Sequence, residues 1–440
     1  MIFGGSGTTT QPIYELVIEI TVAAIYAAIV LNGVLMNQLA QVDRRMWLLA
    51  FLIVLVPAAQ LVPLPPAIWH GLPGRTIEVE ALTLLGKQDA WMPVSMTPAR
   101  TLASLLSMAC TAAVMIIIAA LKPAARNYVC AAIAVVAFAS IILGVLQVSD
   151  RYGVAWAFYQ NAAPGFLNGF EANRNAQTEV LKIGMLAAGV VMTTLGVRVA
   201  VGYGTWLWLG ALIGILSIFS LAVVLTGSRT GMVLLPLALV GFAAILFPEL
   251  KRRLAHPWRT LTFSAVGVGA IGALSVLSPT VSRILTRFLS LSDARNDIWT
   301  DTLFAIHGVW PIGGGMGSFP TLFNAAEQLE TVDQLQAGRA HSDWLEWTLE
   351  TGLPGQIVLA IALALVLYML VTSARTAAAE RDNARRAQTI FGAVTLIMIG
   401  LHAIDDYPMR SITLATLAGV AVAFFSAPHR RSSATDDAEH

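Results

Sequence analysis

Charge is what this chain has least of. Only 12% of its 440 residues are Asp, Glu, Lys or Arg, whereas a soluble domain carries about 25%. With 57% hydrophobic residues and a mean hydropathy of +0.71, a soluble globular protein is excluded and an integral membrane protein is indicated. The signs nearly cancel, to a formal net charge of +1, so there is no global field of the kind that gathers nucleic acid. Cysteine is also scarce. Cys110 and Cys130 both lie inside apolar runs, without a disulfide framework or zinc-ligand spacing, and count as small hydrophobes. Residues 1–11 lack the basic segment of a cleavable signal peptide. There is no His-Glu-x-x-His and no serine–histidine pairing in helical context, which argues against an intramembrane protease.

What the chain has instead is long apolar runs. Segments of about 17–25 apolar residues mark membrane helices, and they fall near 14–36, 46–64, 101–120, 128–147, 177–197, 204–226, 229–247, 261–278, 353–373, 388–406 and 410–427. The expected fold is therefore all-α and polytopic, with about eleven spans. Lys and Arg in the connecting loops set the orientation. One set of loops and the C-terminal tail hold fifteen: Arg44, Arg45, Lys122, Arg126, Arg198, Lys251, Arg252, Arg253, Arg259, Arg375, Arg381, Arg385, Arg386, Arg430 and Arg431. The alternate loops before residue 279 hold five: Arg75, Lys87, Arg100, Arg151 and Arg174. The N-terminus and the long 279–352 segment are thus expected outside the cytoplasm. Four regions result: helices in 1–278, an extracytoplasmic loop at 279–352, helices in 353–427, and a polar, disordered cytoplasmic tail at 428–440.

A long loop between spans is usually functional, and this one has structure written into it. Residues 281–289 are amphipathic with helical period, suited to an interface. Asp293–Gly308 reads as a helix with Ile298, Trp299, Leu303 and Ile306 on one apolar side. The run from Pro311 to Phe319, with Gly315 and Gly317, cannot stay helical and would let backbone approach a ligand closely. A further helix is expected from Asp343, with Asp343 and Glu346 in capping-box spacing. Residues 339–355 then gather two cations, three carboxylates and two tryptophans against the start of an apolar run. Ionisable groups at such a boundary point to chemistry or a charged ligand.

Several residues are candidates for that chemistry. Arg229, between Gly227 and Gly231, offers planar donors to phosphate oxygens, or else snorkels to lipid headgroups. His341 follows Arg339 and precedes a helix start, where neutral imidazole is favoured as a proton acceptor; a plain surface histidine is the alternative. Glu346 and Glu350 share a helix face and can be held by Arg295 or Arg339, in a structural or a catalytic role. His402, Asp405, Asp406 and Arg410 close the tenth run, where a metal site competes with a carboxylate pair that orients Arg410. Arg174, opening the fifth run, can join Arg229 on a diphosphate, or simply cap its helix. Lys182 lies deep in that same run, nearly alone there, which is costly unless it is paired.

Taken together, these stretches resemble the O-antigen ligase and O-antigen polymerase superfamily of bacterial membrane proteins. The matching residues are Gly227-Ser228-Arg229-Thr230-Gly231; Trp299, Pro311, Gly313, Gly315, Gly317 and Phe319; His341-Ser342, Leu345-Glu346, Glu350, Gly352 and Gly355; and His402, Asp405 or Asp406, Pro408 and Arg410. Residues 91–98 are similar to a stretch in the exopolysaccharide branch. The order of the motifs covers residues 46–427. The resemblance implies a metal-independent glycosyltransferase of the bacterial inner membrane, with no cofactor and a site facing the periplasm. Its donor would be an undecaprenyl-diphosphate-linked oligosaccharide, and its acceptor a glycan or the lipid A core. Membrane lipids and polysaccharide-export proteins would be its other partners. It also implies that His341 is the essential histidine and Arg229 a diphosphate-binding arginine. Arg339, Arg174, Arg295, Glu346, Glu350, Gly315, Gly317, His402, Asp405 and Arg410 would line the substrate site. Family members commonly have about twelve spans and a cytoplasmic N-terminus, one span more than the hydropathy gives here.

Cations to stabilise a departing diphosphate and a base for the acceptor hydroxyl are what such a transfer needs. Direct displacement would invert the anomeric centre, and no paired nucleophile suggests retention. Polymerase, ligase and protein-glycosylating enzyme differ only in acceptor, and the stretch around Trp91 favours the polymerase. A transporter or flippase would instead spread ionisable residues over several spans near mid-membrane.

Overall fold

The computed structural model describes residues 1–5, 12–150, 155–159, 163–194, 205–253, 295–330, 332 and 337–426, together with 259, 262, 266, 267 and 269. The expected span at 261–278, the amphipathic 281–289 segment and the C-terminal tail lie outside the described residues or are covered only in isolated positions. The described chain is helical almost throughout. Its helices are α1 (Pro12–Leu31), α2 (Gly33–Ala40), α3 (Arg44–Gln60), α4 (Pro66–Trp69), α5 (Thr76–Leu84), α6 (Pro98–Ala120), α7 (Pro123–Ser149), α8 (Arg174–Thr194), α9 (Thr205–Leu225) and α10 (Arg229–Arg253). After these come α11 (Arg295–Val309), α12 (Phe319–Ala326), α13 (Asp343–Glu380), α14 (Asn383–His402), a 3-10 turn (Pro408–Arg410) and α15 (Ile412–Ala423).

Six of the described helices are long and apolar enough to cross a membrane: α1, α6, α7, α9, α10 and α13. Helices α3, α8, α14 and α15 coincide with other expected runs but are shorter or carry more polar residues. One departure from an all-helical chain is a two-residue antiparallel ladder, β1 (Pro63–Leu64) with β2 (Met92–Pro93). It forms because the buried Arg75 guanidinium gathers the Pro93 and Val94 carbonyls beside it.

Helix α8 is the axis of the bundle. Nearly every residue from Ala176 to Met192 is buried, as expected of a helix enclosed on all sides. It packs against α7, α9, α10 and α14, and Gly184 admits Ala137 and Phe219 at contact distance. The core follows this axis, through Leu181, Ile183, Leu186, Phe219, Phe242 and Phe391.

Hydrogen bonds between loops sort the helix termini into two ends. At one, Arg126 at the start of α7 donates to Ser426 Oγ after α15, and Gln388 in α14 donates to Asn127. The basic starts of α3, α7 and α14 and the basic C-terminus of α10 belong to this end. At the other, Gln60 closing α3 donates to the Glu350 carbonyl, and Thr101 in α6 donates to Met316 O. Asn173 before α8 reaches Asp406 after α14, and the Leu167 N–H meets Leu225 O at the close of α9. The described part of the long loop sits entirely at this second end.

Helix α13 is two helices joined at Gly352, whose φ of 56° and ψ of −155° break the helical run. The turn needs glycine: a Cβ there would lie 2.2 Å from Pro311 O. The two turns before it belong to the loop; the segment from Leu353 onward is the apolar span. The helix begins one residue earlier in chemistry than Asp343 suggested. Ser342 is the cap and accepts from Leu345 N–H, while Asp343 accepts from Met409 N–H and Glu346 turns to Arg339. Thus the expected capping box is not formed. Likewise α11 buries Asp301, Thr302, Ala305, Ile306 and Val309, and leaves Leu303 exposed. Its inner face is rotated from the expected one because it must cover α12 and the start of α13.

Candidate active site

His341 stands where the loop turns into α13. Its backbone has φ 48°, a left-handed conformation that costs a non-glycine residue about 1–2 kcal/mol. The flanks impose it. Upstream, Ala340 is held on both sides: its N–H donates to Glu346 Oε2 (3.2 Å), and its carbonyl accepts from Trp299 Nε1 (3.0 Å). Downstream, the Asp343 N–H donates to the carbonyls of Ala403 and Asp406. The result is an imidazole about one-third exposed, with Nδ1 3.4 Å from Asp406 Oδ1 and its ring 5.1 Å from that of Tyr407. That is ion-pair range, slightly longer than an ordinary N–H···O bond.

Asp406 is the centre of this arrangement. Its Oδ2 accepts from Asn173 Nδ2 (3.3 Å) and lies 3.7 Å from His402 Nε2. Burial opposes its charge, but the imidazoles of His341 and His402 more than offset this and hold it well below the usual carboxylate range. The adjacent Asp405 faces the other way. Its Oδ2 accepts from Thr230 Oγ1 at 2.5 Å and from the Arg295 guanidinium at 3.1 Å. The consecutive carboxylates therefore tie four segments together: the His341 turn, the start of α8, the start of α10 and the start of α11.

The arginines cluster around these ties. Arg229 is the first residue of α10, beside Thr230, and is half-buried. Arg174 opens α8 next to Asn173, stacks over the Phe166 ring at 4.3 Å and lies beside Gly227. From His341, a path through Asp406 and Asn173 ends at Arg174, and one through Asp405 and Thr230 ends beside Arg229. The glycines flanking Arg229 serve protein packing: a Cβ on Gly231 would strike Thr178, and one on Gly227 would strike Phe166. Ser228 caps α10, accepting from the Gly231 N–H.

A second group lies on the loop side. Arg410 Nη1 is 2.9 Å from Glu350 Oε2, and its Nε is 3.4 Å from Glu346 Oε1 and 3.5 Å from Asp343 Oδ1. Arg339 Nη1 donates to Glu346 Oε1 at 2.8 Å. Burial works against the Arg410 charge, and the three carboxylates outweigh it, holding the guanidinium above the ordinary arginine range. Glu350 Oε1 in turn accepts from the Gly317 N–H (2.8 Å), and the Glu350 carbonyl accepts from the Gly315 N–H (2.9 Å). What approaches Gly315 closely is Ser95, whose Oγ would be 2.5 Å from a Cβ, and its φ of 97° also favours glycine. The glycine run is thus clamped onto α13 and the start of α6.

All the sequence candidates lie at one end of the bundle. Glu346, Glu350 and His402 are fully enclosed, with exposures at or near zero, whereas His341, Arg229, Arg295 and Arg339 are partly open. Trp344 is 41% exposed beside them. Among the described residues no group of three or more His, Cys, Asp or Glu is arranged to hold a metal ion. Two things escaped the sequence. Asp406 as the partner of His341 was hidden by its neighbour Asp405, which is chemically identical. Lys182 is not alone at depth, correcting that expectation: Glu179, three residues earlier, is 2.6 Å away, and that i, i+3 spacing was a signal available in the chain.

Residues 212–360 match the family model described as O-antigen ligase. The match runs from α9 through α10, α11 and α12 to the start of the apolar half of α13, and includes Arg229, Arg295, Arg339 and His341. The resemblance to the O-antigen ligase and polymerase superfamily thus holds for this region. No curated protein matches the chain.

Proposed function

Starting from this O-antigen ligase-type region, we propose that the protein is a membrane glycosyltransferase. It moves an oligosaccharide from an undecaprenyl diphosphate donor to an acceptor hydroxyl at the outer face of the bacterial inner membrane, without a metal. The observation that carries the proposal is the pairing of His341 with Asp406 within two residues of the arginine-bearing starts of α8 and α10. A base and its anionic orienter beside several cations is the equipment that displacement of a diphosphate requires.

In the mechanism, ionised Asp406 accepts a hydrogen bond from His341 Nδ1–H, which stays on the ring and leaves Nε2 as the proton acceptor. The acceptor hydroxyl loses its proton to Nε2 as its oxygen bonds to the anomeric carbon. The bond from that carbon to the diphosphate oxygen breaks, and the electron pair leaves with the diphosphate. Arg229, assisted by Arg174, Arg295 and Arg339, stabilises the charge that grows there, so the anomeric centre inverts. Sugars would rest on the exposed face of Trp344 and the neighbouring Trp347. The enclosure of Glu346, Glu350 and His402 favours a supporting role for them, as for Arg410 and the glycines, over direct contact with sugar.

Acceptor choice follows the resemblance of residues 91–98, and we assign extension of another lipid-linked glycan ahead of ligation to lipid A core. The test is incubation of purified protein with lipid-linked oligosaccharide and either acceptor, followed by product analysis. Lengthened glycans support the polymerase, and core-linked glycan the ligase. Movement of the lipid across the membrane without a new bond would overturn the enzyme. Arg229→Ala should weaken binding of a diphosphate lipid by about tenfold or more; unchanged affinity would remove its role.

A further inference from the structure

Behind Asp406, away from the open side of His341, a line of buried charge runs into the middle of the bundle. Lys182 Nζ lies 2.6 Å from Glu179 Oε1, and both side chains are wholly enclosed on α8. The same Glu179 oxygen is 2.8 Å from His402 Nδ1 at the end of α14. The other ring nitrogen of His402 faces Asp406 Oδ2 at 3.7 Å, and Asp406 Oδ1 faces His341 Nδ1 at 3.4 Å. His402 has one carboxylate in hydrogen-bond range at Nδ1 and a second at ion-pair range of Nε2, surroundings that favour the imidazolium. Four charges of alternating sign thus lead from α8 to the outer rim, in a bundle where any one of them alone would be very unfavourable. The side chains of Lys182, Glu179 and His402 have exposures at or near zero, which favours a role other than direct contact with substrate.

We propose that Glu179, Lys182 and His402 are positioning residues for His341, a buried run of alternating charge that holds Asp406 aimed at Nδ1 and divides its negative charge between two imidazoles. The proposal rests on the transferase function given above. Its consequence has a sign. A carboxylate at one ring nitrogen stabilises positive charge on an imidazole, and an imidazolium cannot act as base. A positive His402 on the far side draws on the same carboxylate and weakens that effect. Other groups facing these residues are Asn173 and the Asp343 carboxyl on Asp406, the Tyr407 ring on His341, and Thr230 with Arg295 on Asp405.

The test is the pH–rate profile of single-turnover transfer by the full-length protein. His402→Asn removes the competing cation, so the acidic limb, where the base becomes protonated, should move up by about one pH unit. Donor KM should stay within about twofold. Glu179→Gln withdraws the carboxylate that keeps His402 charged, so it should move the limb the same way. Lys182→Met leaves Glu179 without its cation and His402 more firmly charged, so the limb should not rise. A purely structural defect would lower the rate evenly at every pH. An unmoved limb in folded His402→Asn and Glu179→Gln overturns the proposal. Should His402→Asn fail to fold, the double variant Glu179→Gln/Lys182→Met, which removes opposite charges together, carries the same expectation. The rate at which diethyl pyrocarbonate modifies His341, followed by peptide mass spectrometry against pH without substrate, should shift in parallel. That shift in a protein with no transferase activity would overturn only the function; transfer with an unmoved His341 would overturn only the positioning chain.

Discussion

His341 is held in a strained turn, and the strain separates its chemistry from its contribution to stability. Because φ is 48°, asparagine is the informative replacement: it tolerates the left-handed region better than alanine and carries no base. His341→Asn should therefore melt within a degree or two of the parent, since its flanks and not its side chain fix the turn, while transfer is abolished. Retained transfer would remove the base. Asp406→Asn keeps the size of the orienting side chain but loses its charge. It should lower turnover by about 100-fold or more with donor binding preserved. The position of His341 at a loop-to-helix junction was legible from its place beside Arg339 and a helix start. Its backbone strain was not, because no glycine or asparagine marks it and the hydrogen bonds that impose it come from residues 299, 346, 403 and 406.

At the scale of elements, the informative piece is the pair of helical turns from Asp343 to Thr351. They are apolar on one side through Leu349 and acidic on the other, and the acidic side meets Arg410 from a segment some sixty positions away in the chain. Removing Arg410 would leave carboxylates buried without their cation, an effect of about 3–5 kcal/mol. Arg410→Ala should thus lower thermal stability sharply and loosen residues 313–317, read as faster amide exchange at Gly315 and Gly317, whose N–H groups end on Glu350. Unchanged exchange there would show that Glu350 keeps its place without Arg410. Helix positions were largely legible because apolar length is local in sequence. The break at Gly352 and the Ser342 cap were less so: what decides between Ser342 and Asp343 as the cap is Met409 N–H, which claims the aspartate.

At the scale of the whole molecule, a single carboxyl group buried just before α8 predicts how stability follows pH. Glu171, just before α8, is 1% exposed and is raised to about 8, chiefly by burial and only partly relieved by the Met1 amino group and Ser411. In the unfolded chain it ionises near 4.5, so between these values the folded state keeps a proton that the unfolded state has released. Stability should then fall as pH rises through that window, by at most about 1.4 kcal/mol per unit, and level off above it. Glu171→Gln should flatten the melting temperature between pH 5 and 8; an unaltered slope would place its origin elsewhere.

The same two-ended construction predicts sidedness. Described basic residues at the starts of α3, α7 and α14 and the close of α10 belong to one end, and His341, Asp406 and the arginine-bearing starts of α8 and α10 to the other. Lys and Arg are retained on the cytoplasmic side, so the site end should face outward. Cys110 and Cys130 are buried and free, which leaves a quiet background for a single introduced thiol. Trp344→Cys beside the site and Lys87→Cys in the connection between α3 and α6 at the same end, both at exposed positions, should react in intact spheroplasts with a reagent that cannot cross the membrane. Arg381→Cys, between α13 and α14, should react only after the cells are opened. The reverse pattern would put His341 in the cytoplasm, where the proposed outward transfer could not occur.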